Sequence, residues 1–347
     1  MLWKRIKLED FDFPNVVNYN KEYIKSSNIP NEIQLNKTTR DIELDIDEAR
    51  GLGDKFIVFA RDSYNSGISL SLPQDIKVDN PIKVEFNMDM ENPMVIDKNI
   101  IIAESGSEST IIFDYNSTKE VNAFHNGLTV VYAKENAVVN IVKIQRLNDI
   151  SPSFDSNIAF VEGGGIVNWI SVELGSNISG ASYSTFLEGE ASESALSSIY
   201  LGDGERKMDL EYSMIHKGPR SISSIETKGV LKDNAKKVFR GNLDFKRGAR
   251  HSKGVEEEYV ILLDPTVKSD SIPALLCEED DVEGEHAASA GQIDENRLFY
   301  LMSRGLSERE AKKMIIEASF RPVIDKIPFE DLRLIISKEI EGRLIDE

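Results

Sequence analysis

The feature that most constrains the fold is a run of short apolar segments separated by small polar turns, which begins near residue 75. Runs rich in β-branched and aromatic residues between turn residues are typical of β-strands. The clearest are PIKVEFNM, NIIIAES, STIIFDYNS, LTVVYAK, AVVNIVKIQRL, GIVNWISVEL, SALSSIYL, MDLEYSMIH, KKVFRGNLDF and EYVILLD. No amphipathic helix interrupts them, so the pattern indicates a sandwich, a barrel or a β-solenoid.

The turns between these strands resemble one another. They read ESGSES at 104–109, KENA at 134–137, EGGG at 162–165, EGEASES at 188–194 and KDNA at 232–235, and the first four recur about every 25 to 30 residues. A similar turn before each strand is expected when each coil of a solenoid stacks on the previous one. The sequence therefore favours an all-β core with the architecture of a parallel β-solenoid.

The chain before the repeats has a mixed pattern. We expect a short helix there and one apolar strand at 56–60, with the sequence FIVFA. The β pattern ends near His286, and helices follow. We therefore divide the chain into an N-terminal mixed region at 1–74, a β core at 75–287 and a C-terminal helical domain at 288–347.

Capping signals mark the helices of the third region. Asp294 is placed to cap a first helix, and Gly305 is placed to end it in a left-handed conformation. Ser307 and Glu310 have the spacing of a capping box for a second helix. Pro322 is expected to follow the end of that helix, and a last amphipathic helix is expected at about 328–344. Three short helices build little core alone, so they must pack on the β body or on a partner.

Charge and cysteine content limit the partners and the compartment. The 347 residues include 60 acidic and 41 basic ones, for a net charge of −19. Phosphate binding requires Lys and Arg, so we expect no nucleic acid and no anionic membrane surface as a partner. A single cysteine excludes an internal disulfide and is typical of a reducing compartment. Without a secretory signal at the start or an apolar run of about 18 residues, the expected location is the cytoplasm.

Motifs for self-contained catalysis are absent from the sequence. It has no G-x-x-x-x-G-K-[ST] phosphate loop, no C-x-x-C, no H-E-x-x-H and no G-x-S-x-G. We therefore expect no bound nucleotide and no enzymatic activity of the chain itself. His125, His216, His251, Trp3 and Trp169 are interpreted as structural residues.

The remaining candidate for chemistry is the stretch CEEDDVEGEH at 277–286. Cys277, Glu285 and His286 supply a thiolate, a carboxylate and an imidazole, which are ligand types for iron–sulfur clusters and soft metals. Two structural alternatives stay open: Cys277 as a small buried hydrophobe and EEDD as a solvated turn. One cysteine cannot complete an ordinary cluster site, but two copies meeting at a twofold axis would bring two. Neighbouring strand residues point to opposite faces, so only one of Glu285 and His286 can share a face with Cys277.

A resemblance to a known family covers about residues 238–320. It rests on F-R-G at 239–241, S-x-G at 252–254, D-S-x-P at 270–273, E-H-A at 285–287 and L-F-Y-L-x-S-R-G at 298–305. In these motifs the sequence resembles the SufB/SufD family of iron–sulfur cluster assembly proteins. The resemblance implies a right-handed parallel β-helix with a helical C-terminal domain and a transient iron–sulfur cluster. It also implies docking of an ABC-type ATPase, SufC, for which we select Leu298, Phe299, Tyr300 and Arg304.

The resemblance leaves two roles open. Cys277 at the end of PALLC, with Glu285 and His286 following, has the spacing of SufB, whereas Ala287 and the lack of further cysteines depart from it. The first hypothesis is a scaffold that forms a homodimer, with a cluster between two copies of Cys277 and help from Glu285 and His286. The alternative is a non-catalytic SufD-like subunit of a SufB–SufC–SufD complex, a heterodimer in which His286 assists iron entry or assembly. A carbohydrate-active β-solenoid has only architecture in its favour.

Overall fold

The computed structural model describes residues 11–26, 29–37 and 52–345, so Trp3 lies outside the described residues. Most of the chain winds into a parallel β-solenoid of about eight turns, with strands alternating between two sheets. The strands are β1 (Gln34–Lys37), β2 (Ile68–Leu72), β3 (Ile82–Met88), β4 (Met94–Ala103), β5 (Glu108–Ser117), β6 (Phe124–Ala133), β7 (Val138–Arg146), β8 (Pro152–Val161), β9 (Ile166–Glu173), β10 (Ile178–Leu187), β11 (Glu193–Gly202), β12 (Lys207–His216), β13 (Ile222–Leu231), β14 (Lys236–Phe245), β15 (Lys253–Leu262), β16 (Lys268–Ser271), β17 (Ala274–Cys277) and β18 (Glu283–Gly291). The helices are α1 (Asp54–Ser63), α2 (Glu295–Ser303), α3 (Glu308–Ile324) and α4 (Glu330–Ile345). The predicted solenoid is confirmed.

Apart from β1, β17 and β18, the even-numbered strands form one sheet, called the even-numbered sheet, and the odd-numbered strands form the other, called the odd-numbered sheet. The first runs β1-β2-β4-β6-β8-β10-β12-β14-β16, with β17 also paired to β14, and the second runs β18-β15-β13-β11-β9-β7-β5-β3. All these pairs are parallel except β1 with β2. One coil spans from 26 residues, between the paired Pro152 and Ile178, to 32 residues, between the paired Lys236 and Lys268.

The recurring turns share a backbone feature that explains their similarity in sequence. Each has one residue with positive φ: Gly106 at 71°, Asn136 at 57°, Gly164 at 63°, Ala191 at 55° and Asp233 at 58°. Glycine and asparagine enter this left-handed region at low cost, which accounts for their presence in most of the turns. The turn returns the chain to the opposite sheet once per coil.

The interior of the solenoid is built from residues in register. A row of inward-facing side chains on the odd-numbered strands consists of Ile111, Ile141, Trp169, Leu196 and Ile225, all buried. Because strands pair in parallel with a fixed register, a residue's position in such a row predicts which face its side chain takes. This rule locates the side chains of the last coils.

One N-terminal prediction was wrong. The segment FIVFA, expected as a strand at 56–60, lies within α1. Phe56, Ile57 and Ala60 are buried against the outer face of the even-numbered sheet, whereas Val58 is 42% exposed. That spacing is helical, and a five-residue apolar run does not distinguish a buried helix from a buried strand.

The C-terminal helices confirm the predicted caps. The Asp294 side chain accepts from the backbone N–H of Asn296 at 2.8 Å, and Gly305 has φ 99°. The N–H of Ser307 donates to Glu310 at 2.8 Å, and the N–H of Glu310 donates to the Ser307 hydroxyl at 3.3 Å, which completes the capping box.

The prediction for Pro322 was wrong, because α3 runs through Pro322 to Ile324. Pro322 has no backbone N–H, so a hydrogen-bond donor is missing only from the last turn of α3. Burial of Phe320, Val323 and Ile324 stabilises that turn. These side chains join α4 in a cluster on the outer face of the odd-numbered sheet, so α3 and α4 pack on the β body. Across the described residues, none of the helices has the length and apolar composition that crossing a bilayer requires.

Candidate functional site: the terminal coil

The solenoid ends in a coil on which no further strand stacks within the described residues. This terminal coil consists of β16, β17 and β18, residues 268–291. Among the described strands, β17 pairs only with β14 and β18 pairs only with β15, so each has one open edge. Six consecutive residues of β18, at 285–290, are exposed. Open strand edges carry unpaired backbone donors and acceptors that are prone to pair with another chain.

Cys277 lies at the end of β17 in an inward-facing row. Its partner in the register is Phe245, which follows His216 and Leu187 in the coils below. Those three residues are buried, whereas Cys277 is exposed because no coil of the described residues covers it. Cys277 is therefore not the small buried hydrophobe of the alternative interpretation.

The register distinguishes Glu285 from His286. His286 pairs with Glu256 and, one coil below, with Ile225, so it belongs to an inward-facing row. Glu285 pairs with the exposed Val255 and belongs to an outward-facing row. Both side chains are exposed at the end of the solenoid. His286, rather than Glu285, shares the inward face with Cys277.

Within one chain, however, Cys277 and His286 lie apart. A Cβ on Gly284 would approach Leu275 Cδ1 to 2.7 Å, so Gly284 and Leu275 face each other across the coil. Cys277 lies two residues closer than Leu275 to the turn between β17 and β18, so it faces Val282, which lies two residues closer to that turn than Gly284 does. His286 lies four residues beyond Val282 in the chain. At about 3.3 Å per residue this is a separation of about 13 Å along the strand. Accordingly, the described residues contain no group of three or more His, Cys, Asp or Glu side chains that could hold a metal ion.

The acidic turn between β17 and β18 has a structural explanation. It stacks on the basic turn of the coil below: Lys246 Nζ donates to Glu278 Oε1 at 2.9 Å, and the N–H of Gly248 donates to Glu279 at 3.0 Å. The hydrogen bond from Lys246 holds the pKa of Glu278 below its ordinary value. This supports the interpretation of EEDD as a turn at the surface, because Glu278 and Glu279 accept hydrogen bonds from the turn of the coil below.

Beneath His286 lies a residue that the sequence analysis missed. Glu256 of β15 is 1% exposed, and within the described part of the chain neither of its carboxylate oxygens has a hydrogen-bond partner. Burial, followed by the charges of Glu258 and Glu257, raises the pKa of Glu256 to about 7. The signal was present in KGVEEEYV: three consecutive acids on an alternating strand cannot all face outward.

A second exposed region is the surface of α2, in which no residue is buried. Phe299 is 73% exposed and Tyr300 is 57% exposed, and the Arg304 guanidinium lies 5.3 Å from the Tyr300 ring centre. Leu298 is half-buried. A groove of about 660 Å³ borders this surface, with Tyr259 and Met314 among its lining residues. Exposed apolar side chains grouped in this way are typical of surfaces that contact another protein.

Comparison with known proteins agrees with the architecture. Residues 86–319 match the family model described as SUF system FeS cluster assembly, SufBD core domain. The chain is 27% identical over 295 residues to an iron-sulfur cluster assembly SufBD family protein of Staphylococcus epidermidis. It is 29% identical over 296 residues to one of Staphylococcus saprophyticus and 29% identical over 298 residues to one of Staphylococcus aureus. Each alignment spans 84% of this chain and 63% of the relative.

The family match covers most of the solenoid and extends into α3, so it includes the terminal coil and α2. The chain belongs to the SufBD family of iron–sulfur cluster assembly proteins.

Proposed function

We propose that the chain is the scaffold subunit of a SUF-type system and that an iron–sulfur cluster forms where the terminal coils of two copies meet. The observation that carries this proposal is the open terminal coil, which leaves the only cysteine of the chain exposed beside two unpaired strand edges. The cluster is cargo that is built and handed on, not a resident cofactor.

The geometry of one chain supports the need for two. Cluster iron requires several thiolate, imidazole or carboxylate ligands, and a single coil offers Cys277 and His286 about 13 Å apart along the strand. A twofold axis places identical surfaces against each other, so two terminal coils would pair their open edges and supply each ligand twice. Glu285 faces outward and would contribute from the rim of such an interface.

The second half of the proposal is a SufC-type ABC ATPase that docks on the α2 surface through Leu298, Phe299, Tyr300 and Arg304. The exposed rings of Phe299 and Tyr300 support it, as does the absence of a phosphate loop in this sequence. ATP hydrolysis belongs to the partner, and the chain itself acts as an assembly protein without a catalytic residue. The helical region at 288–347 is the docking domain, 75–287 the scaffold core, and 1–74 an accessory region. The net charge of −19 favours protein partners in the cytoplasm over nucleic acid or membrane.

Anaerobic reconstitution with ferrous iron and sulfide tests the cluster site. Wild type is expected to gain the visible absorption of a cluster, and Cys277→Ala is expected to lose most of it. Ser289→Ala, on the exposed part of β18, serves as the control and should retain it. Equal cluster content and identical spectra in wild type and Cys277→Ala would rule out this site.

The second candidate is the SufD-like role, which the single cysteine of the chain favours. In that case the partner across the terminal coil is a cysteine-richer paralogue, and His286 assists iron entry. Copurification with the ATPase separates the two roles, because the scaffold predicts two copies of this chain with two ATPases. One copy with two ATPases and one paralogue would support the SufD-like role.

A further inference from the structure

The coil beneath the terminal coil contains a carboxylate that the fold leaves unsatisfied. Glu256 is buried, and both of its oxygens lack a hydrogen-bond donor from any residue that the structure describes. Burying such a group without a partner is strongly unfavourable, and native proteins rarely tolerate it unless a ligand or function compensates. The neighbouring inward acid, Glu258, differs: it accepts from Lys237 at 2.7 Å and from Tyr200 at 2.9 Å. Of the two inward-facing acids of β15, Glu256 is therefore the one whose oxygens have no hydrogen-bond partner among the described residues.

The fold makes room for this carboxylate. Gly241 lies across the coil from Glu256, and a Cβ at Gly241 would approach Glu256 Cγ and Cδ to 2.6 Å. Any other residue at 241 would displace the side chain. The terminal coil above Gly241 also has a break in its strands. β16 ends at Ser271 and β17 begins at Ala274, so residues 272–273 belong to neither strand.

A second donor lies directly above. His286 pairs with Glu256 in the register of β15 and β18, and neighbouring strands are about 4.8 Å apart. Both residues belong to the same inward-facing row, and His286 is exposed to solvent. A carboxylate and an imidazole at this separation can bind one first-row divalent cation together.

We propose that Glu256 and His286 bind a divalent metal ion, Fe²⁺ in the working protein, which enters through the open terminal coil. The choice of iron rests on the proposed function, whereas the two ligands rest on the geometry alone. Water or a second copy of the chain completes the coordination. The site would hold iron on the inward face of the coil, on the same face as Cys277.

Anaerobic titration of the full chain with Co²⁺, an optical stand-in for Fe²⁺, tests the site. Wild type is expected to bind one Co²⁺ per chain with the absorption of nitrogen and oxygen ligands. Glu256→Gln should weaken binding by more than about tenfold, since loss of even an outer-shell partner costs that much. Glu257→Gln is the matched control, because it makes the same change at the next, outward-facing residue of β15 and should bind like wild type.

Two further variants keep the outcome interpretable. His286→Gln changes an exposed residue, so its folding is not at risk, and it should weaken Co²⁺ binding as Glu256→Gln does. Cys277→Ala should bind Co²⁺ normally even if it loses the cluster, which separates failure of this site from failure of the proposed scaffold function. Wild-type affinity in both Glu256→Gln and His286→Gln, or no saturable binding by wild type, would overturn the proposal.

Discussion

The ion pair between Lys237 and Glu258 gives a sharp test of how the last coils are held together. Both side chains are 0% exposed, and Lys237 Nζ lies 2.7 Å from Glu258 Oε1. Burial lowers the pKa of Lys237, and the charge of Glu258 opposes that change. Lys237 also donates to the Ser271 hydroxyl at 3.1 Å, so the pair connects the solenoid interior to the terminal coil. The perturbation is Lys237→Met, which keeps most of the volume and removes the charge.

The expected loss follows from the carboxylate left behind. Removing one partner of a buried ion pair costs about 3–5 kcal/mol, because the remaining charge is desolvated and uncompensated. The unfolding entropy is about 2.1 cal/mol/K per residue. For a chain of 347 residues, a loss of about 4 kcal/mol in the free energy of unfolding therefore corresponds to a fall in Tm of roughly 6 °C. The double variant Lys237→Met/Glu258→Gln removes both charges and should recover most of the loss.

Thermal unfolding followed by circular dichroism measures these values. The control is Lys134→Met, since Lys134 forms an ion pair with Glu162 at the same 2.7 Å, with side chains 38% and 42% exposed. An exposed pair contributes less than about 1 kcal/mol, so this variant should melt within about 1–2 °C of wild type. If Lys237→Met melts like Lys134→Met, or if the double variant is less stable than the single one, the reasoning about the buried charge is wrong.

Three further predictions concern pH and docking. Burial lowers the pKa of His216 from 6.5 to about 4, so protonation favours the unfolded chain, and the free energy of unfolding should fall by about 3 kcal/mol as pH drops through that range. In urea unfolding, His216→Asn should reduce this dependence of stability on pH. An unchanged pH dependence would refute the assignment. Burial raises the pKa of Glu173 from 4.5 to about 8, so the folded state retains a proton and stability should fall as pH rises between those values. Glu173→Gln should remove that loss, and a variant with the wild-type pH profile would contradict it. Phe299→Asp should weaken ATPase binding at least about tenfold in a pull-down titration without lowering Tm, because Phe299 is 73% exposed. The control Val58→Asp changes a residue of α1 that is 42% exposed, and it should bind the ATPase normally. Equal affinity of both variants would exclude α2 as the docking surface.

The sequence predicted the solenoid because its turns repeat a physical requirement. Gly106, Asn136 and Gly164 stand where each turn needs positive φ, so the repeat is visible in composition as well as in spacing. The strand expected at 56–60 was wrong because a short apolar run fits either a helix or a strand until its packing is known. The sequence predicts that Pro322 follows the helix, because local propensity does not include the burial of Phe320 that holds the last turn.

The candidate site could be predicted only in part. Alternation along a strand required Glu285 and His286 to face opposite sides, but only the pairing of β18 with β15 shows that His286 faces inward. The same pairing shows that Glu256 also faces inward. The sequence contains Glu256 as one of three consecutive acids and does not tell which of the three face inward. The exposure of Cys277 depends on the absence of a further strand above β17 among the described residues, and no local pattern carries that information.

Native mass spectrometry of the anaerobically reconstituted chain tests the central claim most directly, because it reports subunit number and cluster mass in one spectrum. Wild type is expected to form a species with two copies of the chain and the mass of one cluster. Cys277→Ala should keep the two copies and lose the cluster mass, since the open strand edges do not depend on the thiol. A cluster carried by a single chain, or a cluster retained on paired copies of Cys277→Ala, would contradict the claim that the site forms between two terminal coils.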